Sequence, residues 1–118
     1  MFLRDDYKKY IQSHTDYIVV VYISATWCKP CKRASPYIQQ YVEYLSKIHD
    51  SRFKFIKLDY DEHNDIIKML RVKSIPMLLS YKEGLSDQVC ISSSPNDIDG
   101  FFKKITSSLQ QLDEKKIN

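Results

Sequence analysis

The seven-residue stretch "YIVVVYI" (17–23) restricts the fold of this chain more than any other feature. All seven residues are apolar or aromatic and most are β-branched, which is typical of a central strand covered on both faces. Such a strand needs packed layers on two sides of one sheet, and 118 residues are enough for one such domain. The stretch is far too short to span a bilayer. The sequence therefore predicts a single layered domain over residues 1–118.

Hydrophobic periodicity places the other elements around this strand. Gly84 supplies a turn between the last two predicted strands, and "SPND" (94–97) is typical of a helix start. The order implies an α/β fold, a small mixed sheet with helices on both faces. The tail at 112–118 is expected to be frayed. In chain order, the predicted elements are helix 2–13, strand 17–23, helix 29–48, strand 52–59, helix 62–70, strand 76–81, strand 86–92 and a helix from 94–97 onward.

The long helix at 29–48 carries one apolar stripe that we expect to be buried. Pro36 lies inside this helix and should kink it, because its ring removes a backbone donor. The residues of the predicted stripe are Ala34, Ile38, Tyr41, Val42, Leu45 and Ile48.

Two cysteines stand where the buried strand gives way to this helix, in "ATWCKPC". Cys28 and Cys31 are three residues apart on the first turn, so their Cα atoms should lie roughly 5–6 Å apart, which suits a disulfide. The exposed helix end favours a thiolate at Cys28 and lowers its pKa. Cys31 lies one step further inside and should be more buried. The pattern favours an attacking thiol and a resolving thiol.

Two other interpretations of the pair are open at this point. A zinc site would need further ligands, and the chain offers only Cys90 and the scattered His14, His49 and His63. An inert disulfide is the second alternative, although a strand-to-helix bend is an exposed place for one. The redox interpretation is favoured, because C-x-x-C beside a β-α-β pattern is a known redox arrangement.

The net charge, the first residues and the number of cysteines limit the classes of function that this chain can have. A net charge of +3, without a basic block carrying interleaved aromatics, does not indicate a nucleic-acid partner. The start "MFLRDDYKKY" has no apolar region typical of a secretory signal, so we expect a cytoplasmic protein with no membrane partner. Three cysteines do not form a disulfide framework, which agrees with a reducing compartment. Cys90 itself is interpreted as an ordinary strand residue.

Four segments together resemble the thioredoxin family: "ATWCKPC", "FIKLDYDE", "RVKSIPMLL" and "YKEG". Their order and spacing match from about residue 17 to 110. The family usually carries W-C-G-P-C and an Ile-Pro-Thr loop, and it has a proline at the position of Pro36. The resemblance implies a thioredoxin fold, with four strands here because few residues precede the first helix. It also implies no cofactor and no metal.

The resemblance implies roles for particular residues. Cys28 and Cys31 would be catalytic and would alternate between dithiol and disulfide. Pro76 would be cis and would support catalysis beside them, while Trp27, Ile75 and Pro76 would bind substrate. Without the cysteines, Trp27 would be typical of a half-buried core aromatic, and Pro76 of a strand start.

Two departures from the family concern the chemistry. Lys29 replaces the usual glycine, and a surface charge about 6 Å from a thiolate contributes roughly 0.7 kcal/mol, or about 15 mV in potential. The protein should therefore remain a reductant. Tyr22 stands where the family buries an aspartate that helps the resolving cysteine. Lys57 matches the family's buried lysine and is a candidate supporting residue; burial would lower its pKa. We hypothesise a slower resolving step.

Other departures concern substrates. Met77 stands in place of the usual threonine, and Ser92 and Ser93 lie where the family has a glycine. The basic residues Lys32 and Arg33, with Lys29, would favour acidic partners or simply form a solvated helix start.

The sequence thus predicts a monomeric thiol–disulfide oxidoreductase that reduces disulfide-containing protein substrates. Because the chain has no nucleotide-binding glycine motif, its electrons should come from a separate thioredoxin-reductase-type donor. The alternatives are a disulfide oxidase or isomerase, and a non-enzymatic thioredoxin-fold interaction module.

Overall fold

The computed structural model describes residues 2–117, with side chains described through Asp113. Each predicted element is present, with ends that shift by at most two residues at the boundaries that were predicted. The predicted frayed tail at 112–118 stays a prediction, because Asn118 and the side chains of 114–117 lie outside the described parts. The elements are α1 (Arg4–Ser13), β1 (Ile18–Ser24), α2 (Lys29–Ile48), β2 (Phe53–Asp59), α3 (Asn64–Met69), β3 (Met77–Lys82), β4 (Leu85–Cys90) and α4 (Pro95–Ile117).

The four strands form one mixed sheet in the order β2-β1-β3-β4. β1 pairs with β2 in parallel and with β3 antiparallel, and β4 joins β3 as an antiparallel hairpin. The first predicted strand is therefore central, and every residue of β1 is buried. The predicted four-stranded mixed fold is confirmed.

Alternate residues of β1 enter two separate cores, because successive side chains of a strand point to opposite faces. Ile18, Val20 and Tyr22 join the core under α2 and α4. Val19, Val21 and Ile23 join the core under α1 and α3. The sheet thus has helices on both faces.

The carboxyl end of β1 leads directly into α2. Cys28 is the N-cap of this helix and Pro30 lies in its first turn, where a missing backbone donor costs nothing. One residue of the predicted stripe is wrong: the Ile48 side chain is 57% exposed. Helix α2 ends there, and the inward position is taken by His49, whose Nδ1 lies 2.9 Å from Oδ2 of Asp113 on α4.

The β3–β4 hairpin closes through a two-residue turn. Glu83 and Gly84 have φ angles of 55° and 77°, and Lys82 pairs with Leu85 on either side of them. Two successive positive φ values are the signature of the type I′ turn, whose twist matches that of antiparallel strands. The glycine was predicted at this turn, whereas the left-handed glutamate was not.

Candidate active site

The two cysteines of the first motif are joined. Cys28 and Cys31 form a disulfide, with their Cα atoms 5.2 Å apart, inside the range that the spacing predicts. The Cys28 sulfur also accepts a hydrogen bond from the backbone N–H of Cys31, at 3.2 Å. The sulfur of Cys28 therefore caps the helix and lies against the positive end of its dipole.

The burial of the pair differs from the prediction. Cys28 is only 4% exposed and Cys31 is 2% exposed, so both sulfurs are covered in this oxidised form. Cys31 is the more buried of the two, as predicted, but the exposed fractions of the two cysteines are close. Cys28 is covered because Ala25, Tyr60 and Ile75 pack around the disulfide.

The second motif lies against the first. The Ile75–Pro76 peptide bond is cis. The carbonyl oxygen of Ile75 is 3.9 Å from the sulfur of Cys28. Two segments that are more than forty residues apart in the chain therefore meet at the disulfide, and the backbone of Ile75 lies beside the sulfur that is predicted to attack the substrate.

Trp27 presents an apolar surface next to Cys28. Its side chain is 60% exposed, so the alternative of a half-buried core aromatic does not describe it. The indole Nε1–H donates to Oδ2 of Asp61 at 2.7 Å, and the ring contacts Tyr60 edge to face. Asp61 therefore holds the orientation of the indole. Sequence reasoning missed Asp61, because an aspartate in a loop after a strand carries no distinguishing signal.

Tyr22 lies beneath the redox pair, in the position where the family has an acid. Its hydroxyl lies 2.9 Å from the Ser35 oxygen and 3.3 Å from the Cys31 carbonyl oxygen. Ser35 itself donates to the same carbonyl at 2.7 Å. Burial raises the pKa of Tyr22, so the phenol is neutral at physiological pH. Tyr22 therefore fixes the backbone of the first helical turn and provides no base.

Lys57 is exposed, and the prediction that it is buried is wrong. It lies on β2, an edge strand of the sheet, which has a strand neighbour on one side only. Lys57 nevertheless lines a cavity of about 390 Å³ that also borders Cys31. Lys57 therefore shares this cavity with the resolving cysteine.

Two of the residues singled out for substrate choice do not reach the surface freely. Met77 is buried in the core under α1 and α3. Ser92 donates a hydrogen bond to the carboxylate of Asp97, in the first turn of α4. Lys32 and Arg33 are exposed beside the disulfide, as predicted. Cys90 is a half-buried strand residue, and burial raises the pKa of its thiol.

The described side chains form neither a metal site nor a membrane-spanning helix. No group of three or more His, Cys, Asp or Glu residues within 2–113 is arranged to hold a metal ion. None of the described helices is both long and apolar enough to cross a membrane.

Comparison with known proteins identifies relatives of this arrangement. The thioredoxin family model matches residues 1–107. Thioredoxin-2 of Saccharomyces cerevisiae is 38% identical over 80 residues, covering 68% of this chain and 72% of the relative. Thioredoxin-1 of the same yeast is 35% identical over 80 residues, covering 68% and 73%.

Solved structures show the same fold. The structure of Plasmodium falciparum thioredoxin matches with a TM-score of 0.74 at 24% identity, over 88% of this chain and 95% of that one. Thioredoxin from Trypanosoma brucei brucei matches with a TM-score of 0.76 at 19% identity, over 93% and 88%. The family match over most of the chain and the C-x-x-C disulfide on the helix end agree, and this chain belongs to the thioredoxin family of thiol–disulfide oxidoreductases.

Proposed function

We propose that this protein reduces disulfides in other proteins, with Cys28 as the attacking residue and Cys31 as the resolving residue. The observation that supports these roles is the position of Cys28 as the cap of α2. In the reduced protein the Cys31 N–H and the helix dipole stabilise a thiolate at that sulfur. Cys31 is more deeply placed and becomes the second reactant.

The reaction consists of two sulfur displacements. The Cys28 thiolate attacks one sulfur of a substrate disulfide, forms a Cys28–substrate bond and releases the other substrate sulfur as a thiolate. The Cys31 thiol then loses its proton and attacks Cys28, which breaks the mixed disulfide and forms Cys28–Cys31. Two electrons pass from the protein to the substrate, and the substrate leaves as a dithiol.

Substrate binding involves the two segments that meet at the disulfide. Trp27 offers an exposed apolar face, held by Asp61. The backbone of Ile75, before the cis Pro76, lies beside Cys28 and can pair with an extended substrate segment. Both contacts bring a substrate disulfide to the sulfur of Cys28.

The cycle needs an electron source outside the chain. The disulfide form must be reduced again, and we propose a separate thioredoxin-reductase-type enzyme as the donor. A reducing compartment, the cytoplasm, suits a protein whose working form is a dithiol. One copy holds both cysteines and the docking loop, so a monomer is sufficient for the reaction.

The insulin assay tests this function. Dithiothreitol reduces insulin slowly, and the B chain precipitates when its disulfides break. The wild-type protein should accelerate precipitation, Cys28→Ser should abolish the acceleration, and Cys90→Ser should retain it as the matched control. Absence of acceleration by the wild type would instead support a non-enzymatic interaction module.

The mixed disulfide provides a direct check on the two roles. Cys31→Ser should accumulate a covalent complex with substrate through Cys28, visible by mass spectrometry and reversed by dithiothreitol. A complex formed through Cys31 in the Cys28→Ser protein, with none through Cys28, would contradict the assignment.

A further inference from the structure

The resolving step requires a proton to leave Cys31, and β1 supplies no group that can take it. The hydroxyl of Tyr22 is engaged with Ser35 and the Cys31 carbonyl. Its ionised form is disfavoured by burial, so it does not act as a base near neutral pH. A proton acceptor, if the chain has one, must reach Cys31 from another direction.

The cavity beside Cys31 provides that direction. It has a volume of about 390 Å³ and is lined by Cys31, Ser35, Lys57, Asp59, Glu62 and His63, among others. Most of these side chains are polar, and a polar cavity of this size has room for several water molecules. A proton can therefore travel from Cys31 to any basic group on the cavity wall through water.

The charged groups on the wall are poor acceptors. Lysine ammonium groups, such as those of Lys32 and Lys57, have no free lone pair at neutral pH. Asp59 already accepts hydrogen bonds at Oδ1 from the backbone N–H groups of Asp61 and Glu62, at 2.8 and 3.1 Å. Carboxylates are in any case weak bases at pH 7, and efficient general bases titrate near the working pH.

His63 differs from these groups in both chemistry and geometry. It is half-buried at the start of α3, and Nδ1 lies 3.3 Å from the carbonyl oxygen of Asp59. A carbonyl oxygen can only accept, so Nδ1 carries the hydrogen and Nε2 carries the free lone pair. The edge-to-face ring of Phe2, 6.4 Å away, packs against the imidazole. In the neutral ring, Nε2 is therefore the nitrogen that can accept a proton.

We propose that His63 accepts the proton of Cys31, through water in this cavity, during the resolving step. Cys31–S⁻ then attacks Cys28, the Cys28–substrate bond breaks, and the substrate sulfur leaves with the electron pair and takes a proton from solvent. The imidazolium later returns its proton to bulk water. This role rests on the proposed function and replaces the missing acid with a residue on another element.

A chromogenic aromatic disulfide separates the two displacements. Stopped-flow mixing with the reduced protein releases one coloured thiolate on attack by Cys28 and a second on resolution by Cys31. The second phase should vanish in Cys31→Ser, which identifies it. The amplitude of the first phase in the wild type tests the proposed function separately from the role of His63.

The decisive variant is His63→Asn. The asparagine amide can still donate to the Asp59 carbonyl, but it has no base. His14→Asn is the matched control, because His14 Nδ1 also contacts a backbone carbonyl, that of Tyr10 at 2.7 Å, and is not part of the cavity wall. His63→Gln serves if the first variant does not fold.

The expected result is a change in one phase only. At pH 7 the second phase of His63→Asn should slow on the order of 10²-fold, while its first phase and both phases of His14→Asn stay unchanged. Equal second-phase rates in the wild type and in His63→Asn would overturn the role of His63, even where the first phase is normal.

The pH profile distinguishes a base from a structural residue. A base accepts a proton only in its unprotonated form, and at alkaline pH hydroxide removes the thiol proton without any base. The other charged groups on the cavity wall are Lys32, Lys57, Asp59 and Glu62. The ratio of the wild-type to the His63→Asn second-phase rate should therefore be largest near neutral pH and should fall at acidic and at alkaline pH; a ratio that does not change with pH would overturn the proposal.

Discussion

The hydroxyl of Tyr22 allows the sharpest test of how the redox helix is held. Tyr22→Phe removes one oxygen from a side chain that is 2% exposed and leaves the rest of its volume in place, so no large cavity forms. Because Ser35 donates its own proton to the Cys31 carbonyl, the Tyr22 hydroxyl donates mainly to the Ser35 oxygen. The change therefore removes one hydrogen bond, to Ser35, and a 3.3 Å contact with the Cys31 carbonyl oxygen.

The cost should be small, because no buried donor loses its partner. Ser35 keeps its bond to Cys31 at 2.7 Å. One net hydrogen bond contributes about 0.5–1.5 kcal/mol to the free energy of unfolding. A change of about 1 kcal/mol lowers the melting temperature of a domain of this size by about 3–5 °C.

The assay is chemical and thermal unfolding of the oxidised protein, with Tyr44→Phe as the control. Tyr44 is an exposed tyrosine on the same helix as Ser35, and its change should be close to neutral. A loss above about 3 kcal/mol for Tyr22→Phe would match a cavity rather than a hydrogen bond and would refute this reasoning. No measurable loss would refute it as well.

The wild type and Tyr22→Phe should also differ in their stability at alkaline pH. Burial raises the pKa of Tyr22 in the folded state above its unfolded value, so the folded state favours the neutral phenol. This contribution is complete below about pH 10 and is lost as pH rises through the raised pKa. The free energy of unfolding of the wild type should therefore fall more steeply above about pH 10 than that of Tyr22→Phe.

Three further substitutions, at Lys29, Gly84 and Gly100, test the electrostatics of the site and the conformation of the backbone. Lys29→Gly should make the redox potential more negative by about 15 mV, measured by equilibration with a glutathione or dithiothreitol couple, since one solvent-exposed charge near a thiolate has only that effect; an unchanged potential would contradict the electrostatic account. Gly84→Ala should destabilise the protein by about 1 kcal/mol, because φ is +77° and an added Cβ would lie 3.1 Å from Cγ2 of Thr15. Gly100→Ala, in open space on a helix, should stabilise it by about 0.5–1 kcal/mol, and equal effects of the two changes in a denaturant titration would contradict this reasoning.

The sequence predicted those parts of the fold that depend on local patterns. The run at 17–23 predicts a doubly covered strand; β1 (Ile18–Ser24) is an inner strand with every residue buried, and Tyr17 is half-buried just before it. The periodicity from Lys29 predicts a helix whose bounds agree with α2 at both ends. The two family motifs also predict that Trp27, Cys28 and Pro76 lie together at one site.

The sequence did not predict contacts that depend on which elements cover each other. Lys57 matches a buried position in the family, but it lies on an edge strand and is exposed. Asp61 and His63 follow β2 without any pattern, and only the folded chain places one on Trp27 and the other on the cavity beside Cys31. Ile48 fits the helical stripe but falls where the helix ends.

The side chains of β1 point alternately to the two faces of the sheet, so the number of residues in this strand decides which of them support the active site. Ile18, Val20 and Tyr22 belong to one core and the residues between them to the other. Inserting or deleting one residue within Ile18–Ser24 would move side chains from each core to the other and turn Tyr22 away from α2. Insertions and deletions should be tolerated in surface loops. In β1, a shift of one residue would remove the side chain that supports the helix carrying the two cysteines.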